Sequence, residues 1–221
     1  MKQENILLFC AHSDDQMLGA GGVLAKYAKE GHNVYTYIFT YGELSHMHMK
    51  PEEIKKIRAQ ESENADKIIG GKGVFFFDLE DGNLQNDIKK SDIKEYLKEI
   101  IKEKKPSKIF THSIDDAHPD HRAVRKVVLE AYDDLLYTCD VYSFDVWNLV
   151  NIKKRQKPVL VVDVTDYFKY KIKALHEFKS QISIFNHFFF VNILYLLVYV
   201  KAIIYGFIYK RKLVEIYHKM R

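Results

Sequence analysis

"NILLFCAHSDDQMLGAGGVLAKYAKEGHNVYTYIFT", residues 5–40, decides the fold. Residues 6–11 form a short continuous apolar run, as in a strand buried on both faces of a parallel sheet. From Gly19 to Glu30 the apolar residues Val23, Leu24, Tyr27 and Ala28 recur at helical spacing, and Gly31 stops the run as a C-terminal cap would. Residues 33–40 are again rich in β-formers. Strand, helix and strand in such quick succession make a βαβ unit, with parallel strands and a right-handed crossover.

The alternation continues outward. Residues 51–69 read as a helix with Pro51 in its first turn, 73–79 as a strand, 90–104 as an amphipathic helix and 107–113 as a strand. A helix is expected from Pro119 to Tyr137, where an N-terminal proline costs no hydrogen bond. "VYSFDVW" (141–147) and "KPVLVVDV" (157–164) read as strands, and Thr165 or Asp166 caps a helix to about Gln181. The expected fold is α/β: a Rossmann-like, mostly parallel sheet flanked by helices, with an apolar C-terminal helix.

That tail sets the expected organisation: a core over 1–181 and an apolar helical segment over 182–221. The tail either belongs to the same domain or associates with a membrane or interface. Between 188 and 209 its strongly polar members are Asn192 and Lys201. The length could span a bilayer. Spanning would carry Lys210, Arg211 and Lys212 outward from a cytoplasmic core, against the positive-inside tendency. Asn192, Tyr195, Tyr199 and Tyr209 fall along one stripe, so a helix in a membrane interface or against a second subunit fits better, beside the plainer reading of a helix completing the core.

With 221 residues, 47% of them hydrophobic and 29% charged, the chain suits one globular domain. A net charge of +4 is too small to argue for nucleic acid, and no basic stretch alternates with stacking aromatics. Cys10 and Cys139 read as buried reduced thiols rather than a disulfide framework. "MKQENILLFCAHSDD" has too few apolar residues for a signal peptide, so the expected location is cytoplasmic, peripheral to the membrane if the tail binds there.

Two polar clusters fall just past strands. His12, Asp14 and Asp15 follow the first strand; His112, Asp115, Asp116, His118, Asp120 and His121 end or follow the 107–113 strand. In an open parallel sheet, both sit at the carboxyl edge, where ligands bind. His12 and Asp15 are three apart in a turn, and His118 and His121 three apart at a helix start. Two histidines and a carboxylate suit a zinc-like divalent metal with an open position, which lowers the pKa of a bound water to about 7. Asp14 then lies beside that water as general base, and the remaining histidine faces a developing oxyanion. Spacing alone leaves open which of His118 and His121 is the ligand, and which metal is bound. His112 reads as a strand-end residue outside the ligand set, and His46 and His48 as part of a loop. G-A-G-G at 19–22 does not match a dinucleotide loop; close approach of the helix to the sheet explains it better.

"AHSDDQMLGAGGVLAKY" together with "HPDHRAV" resembles the LmbE-like, or PIG-L, family of zinc-dependent de-N-acetylases of N-acetylglucosamine conjugates. "RAQESENADKIIG" from Arg58, "LEDGNL", "KIKALHEFKSQ" and Glu215 are similar to further family elements. The resemblance implies His12, Asp15 and His121 as ligands of Zn2+, with another divalent metal such as Fe2+ fitting the same donors. It implies Asp14 as general base and His118, tuned by Asp120, as the group that holds the oxyanion and protonates the amine. Arg58 and Asp81 would bind sugar hydroxyls. The implied substrate is a small-molecule or lipid-linked amino sugar, with peripheral membrane contact or a homo-oligomer formed through the tail. Ser13 and Gln16 replace the family's proline and glutamate, and Gln16 motivates the alternative of a non-catalytic sugar-binding module of the same fold.

Overall fold

The computed structural model describes residues 2–45, 49–146, 159–182 and 188–221. Strands β1 (Asn5–Cys10), β2 (Asn33–Ile38), β3 (Val74–Phe76), β4 (Lys108–His112), β5 (Asp140–Phe144), β6 (Val159–Asp163) and β7 (Val214–Lys219) form one sheet in the order β3-β2-β1-β4-β5-β7-β6. The five strands from β3 to β5 are parallel; β7 runs antiparallel to both neighbours. The helices are α1 (Asp15–Lys29), α2 (Pro51–Ile69), α3 (Leu84–Lys90), α4 (Ile93–Lys104), α5 (Pro119–Asp133), α6 (Phe168–Leu175), α7 (Lys179–Ile182) and α8 (Phe188–Ile208).

β1 shows why the sheet needs helices on both faces. Its side chains alternate, so Ile6, Leu8 and Cys10 enter one core with Leu24 of α1 and Leu175 of α6. Leu7, Phe9 and Ala11 enter the other with Leu97 of α4 and Val128 of α5. The chain runs from β1 to β2 on one side and places β4 on the other. This reversal opens a crevice beyond the ends of β1 and β4, and both polar clusters emerge there.

Several expectations need correction. The first helix starts at Asp15, not Gly19, so Asp15 occupies its first turn. α3 was not expected. The helix over 165–181 is two, α6 and α7; the chain turns between them, and Ser180 gives both its N–H and its hydroxyl to Glu61 (each 2.7 Å). The 182–221 stretch is not helical throughout: β7 inserts between β5 and β6, threading it into the core sheet. Tyr195 turns inward and donates to the Leu175 carbonyl (2.7 Å), while Tyr199 stays exposed with an edge contact to the Phe168 ring. Among the described residues, no helix is long and apolar enough to cross a membrane. His46, His48 and Trp147, and the side chain of Asn192, lie outside the described residues. Cys10 and Cys139 are free thiols, Cys10 buried and Cys139 partly so.

The glycines of α1 permit close approach, as expected. A Cβ on Gly19 would collide with the Phe144 ring, and one on Gly22 would lie 2.7 Å from Glu215 Oε1.

Candidate metal centre

Three atoms from two stretches of the chain form a nearly equilateral triangle. His12 Nδ1 lies 3.3 Å from Asp15 Oδ2 and 3.2 Å from His121 Nε2, and the latter two are 3.3 Å apart. In a tetrahedral zinc site with bonds of about 2.0–2.1 Å, ligand atoms are about 3.3–3.4 Å apart. The donors present therefore match such an ion in type and in spacing. Each is delivered by local structure. The Asp15 carboxylate accepts the His12 backbone N–H (2.8 Å), closing the turn after β1. His118 is the N-cap of α5, its Nδ1 accepting the Asp120 N–H (3.2 Å), which sets His121 on the first turn facing the crevice.

The ligand atoms are steered from behind. His121 Nδ1 lies 3.0 Å from Asp116 Oδ1, and Asp116 is buried. This is the carboxylate–histidine arrangement that fixes tautomer and ring orientation at metal sites. His12 Nε2 faces Asp81 Oδ1 (3.3 Å) and Asp120 Oδ2 (3.5 Å). Those acids are held by backbone, Asp81 accepting the Leu44 N–H and Asp120 the Gly82 N–H. His112 accepts the Ala11 N–H at Nε2 (2.9 Å) and stacks on His121.

Charge explains the titration behaviour. Burial opposes the charge of Asp15, yet His121, His112 and His12 around it hold its pKa well below the usual range. Burial likewise opposes a charge on His121, but Asp15 and Asp116 raise it to about 9. His118 is lowered by burial and by its two histidine neighbours, which keeps it neutral. Because its Nδ1 accepts a hydrogen bond, its proton sits on Nε2. Asp14 is raised by burial, against the pull of the Arg58 guanidinium 3.8 Å away. Carboxylates of Asp14, Asp15, Asp81, Asp116 and Asp120 crowd one crevice with the Arg58 guanidinium beside Asp14, and a divalent cation balances such a set.

The structure thus brings His12, Asp14, Asp15, Arg58, Asp81, His118, Asp120 and His121 together, and three of them also engage protein groups of their own. Arg58 is buried and bonded to the Gly42 carbonyl (2.6 Å) and the Ser45 hydroxyl, so it braces Asp14 and the loop after β2. Asp81 backs His12 rather than standing apart as a sugar contact. The Asp120 carboxylate likewise turns to His12 and Gly82, and only its N–H meets His118. Gln16 touches the Cys10 thiol and the Ser13 carbonyl, away from the triangle. Sequence reasoning gave Asp116 no role; the one signal was its place in the acidic run before His118.

The sequence profile described as "PIG-L: GlcNAc-PI de-N-acetylase" matches residues 7–132, more than half of the chain and both ligand clusters. The chain belongs to the PIG-L family. Among family relatives, it is 27% identical over 184 residues to the uncharacterized deacetylase YaiS of Escherichia coli, covering 81% of this chain and 92% of that one. It is 25% identical over 191 residues to the 1D-myo-inositol 2-acetamido-2-deoxy-alpha-D-glucopyranoside deacetylase of Kineococcus radiotolerans. It is 27% identical over 137 residues to the 4-oxalmesaconate hydratase of Pseudomonas putida. The match spans 70% of this chain for the Kineococcus protein and 58% for the hydratase, and only about half of either relative's own length (53% and 52%). In fold, the chain resembles the N,N'-diacetylchitobiose deacetylase of Pyrococcus horikoshii (TM-score 0.76, 20% identity, covering 98% of this chain and 84% of that one). It also resembles the GalB hydratase of Pseudomonas putida (TM-score 0.80, 21% identity, covering 99% and 95%). The chain therefore has the PIG-L fold, and its described residues include His and Asp groups spaced so that they could hold a metal ion.

Proposed function

We propose that this protein is a metal-dependent amide hydrolase that removes the N-acetyl group from an N-acetylglucosamine-type conjugate. The observation that carries the reading is the triangle of His12 Nδ1, Asp15 Oδ2 and His121 Nε2. These residues would hold Zn2+, or another divalent ion such as Fe2+. Bound there, the ion supplies Lewis acidity, polarising the acetamide carbonyl and making water a stronger acid.

The chain's own groups complete the reaction. Asp14, partly exposed at the rim, takes a proton from the attacking water. His118 presents Nε2–H to the carbonyl oxygen as negative charge develops, and the proton taken up by Asp14 passes to the departing amine. Acetate and a free amino sugar leave, and Asp14 is again a carboxylate. Arg58, fixed by Gly42 and Ser45, keeps Asp14 aimed at the crevice. Asp81 and Asp120 hold the far nitrogen of His12.

A small-molecule or lipid-linked amino sugar is the substrate class, and the cytoplasm the compartment, in this reading. Similarity to the Pseudomonas putida hydratase favours one second reading: the same metal and base adding water to an unsaturated acid. Gln16 gives little support to a non-catalytic sugar-binding module, because its side chain does not touch the donor atoms.

The test is metal content of the purified protein, followed by acetate release from a panel of N-acetylglucosamine conjugates with zinc added. Stoichiometric metal with acetate release supports the proposal. Metal bound but no acetate from any conjugate overturns it, and water addition to an unsaturated acid would replace it with the second reading.

A further inference from the structure

α8 is amphipathic in an unusual sense. Its inward side carries Tyr195 and Ala202, and its outward side is apolar. Leu196, Val200, Ile203, Ile204, Phe207 and Ile208 form a stripe at three- and four-residue spacing, each at least 40% exposed and Phe207 86%. A contiguous apolar stripe of this kind marks an interaction surface.

Charge selects the occupant. No aspartate or glutamate occurs between Glu177 and Glu215, whereas that interval holds Lys179, Lys201, Lys210, Arg211 and Lys212. Lys210, Arg211 and Lys212 follow the stripe directly and are exposed. In a symmetric pairing of two copies through this helix, both bring a segment with cations and no acid, so the segment offers Lys210, Arg211 and Lys212 no counter-charge. An anionic lipid surface satisfies both parts at once: acyl chains take the stripe and headgroups take the basic end.

We propose that the outward face of α8 docks this protein peripherally on an anionic lipid bilayer. Phe207, Ile203 and Ile204 enter the acyl boundary, and Lys210 and Lys212 meet the headgroups. Arg211 is shared with Asp163, 3.4 Å away. The docking is independent of the reaction proposed above, and its test reads binding alone.

The full chain is to be sedimented with vesicles of phosphatidylglycerol in phosphatidylcholine, and with phosphatidylcholine alone, at low and high salt. Binding is expected to the anionic vesicles and to weaken with salt. Each basic residue near a charged bilayer is worth about fivefold in partitioning, so Lys210→Glu with Lys212→Glu should weaken binding at least about tenfold. Ile204→Ser with Phe207→Ser should do the same while leaving the fold intact, since both side chains point to solvent. Three results would overturn the proposal: full chain left in the supernatant with anionic vesicles, binding indifferent to both double variants, or a dimer in sedimentation velocity that Phe207→Ser converts to monomer.

Discussion

Lys171 of α6 and Glu215 of β7 form a buried ion pair, Nζ to Oε1 2.6 Å. The lysine also donates to the Leu18 carbonyl (2.9 Å), and the carboxylate accepts the N–H groups of Gly22 and Val23 and the Tyr217 hydroxyl. Everything this pair touches on α1 lies within two turns of Asp15. The pair therefore pins the helix that carries Asp15, a proposed metal ligand, against the antiparallel end of the sheet.

Lys171→Met strands a buried carboxylate. Removing one partner of a buried pair costs about 3–5 kcal/mol, and that loss is the expectation in urea unfolding. Combining it with Glu215→Gln should recover part of the loss. An unchanged urea midpoint in Lys171→Met would show that the pair contributes nothing.

Asp14→Asn should leave metal content unchanged and lower kcat by a factor of roughly 10² or more, because the general base is gone while the donor triangle remains. His121→Ala should instead lose the metal. Normal turnover in the Asp14 variant would remove Asp14 from the mechanism.

Asp116→Ala frees the far nitrogen of His121. Loss of such a backing carboxylate typically weakens metal binding about 10–100-fold, measurable by competition with a chelator. Asp116→Asn, which keeps an acceptor oxygen, should lose less. Equal affinity in all three proteins would mean that the His121 ring is oriented by packing on His112 alone.

Asp66 gives a pH signature away from the site. Burial raises its pKa from 3.8 to about 6, although the carboxylate accepts the Gly73 N–H. The folded state thus holds a proton that the unfolded chain releases, and stability falls as pH rises from about 4 to about 6. Above that window the cost is complete. Asp66→Asn should therefore be more stable near neutral pH by about 1–3 kcal/mol, and equal to the parent below about pH 4. Thermal unfolding across that range checks it; a constant offset at every pH would contradict the assignment.

The parallel half of the sheet was legible because its strands are buried on both faces and read as uninterrupted apolar runs, ILLFCA above all. The donor residues were legible because the crevice lies at strand ends, where short motifs and three-residue spacings carry the chemistry. What was not legible depends on distance through the chain. "VEIYHK" of β7 pairs with residues 51–77 positions earlier, and it follows a long apolar helix that drew it into a helical reading. Asp81 comes from the loop after β3 and Asp120 from the first turn of α5, and no local pattern says that both end on one nitrogen of His12. Arg58 could be read as facing substrate or protein; only the fold places its guanidinium on the Gly42 carbonyl.

The position of β7 also bears on how the molecule assembles. β5 and β6 share no ladder of their own, and the ribosome makes the strand that joins them only after both. β1 can zip to β2 across only 28 positions, whereas β6 waits for β7 to return across 51–59, a slower loop closure. Glu215 arrives with that strand, so the clamp on α1 is set late. Pulse-labelling hydrogen exchange during refolding should find amides of residues 159–163 protected after those of residues 5–10.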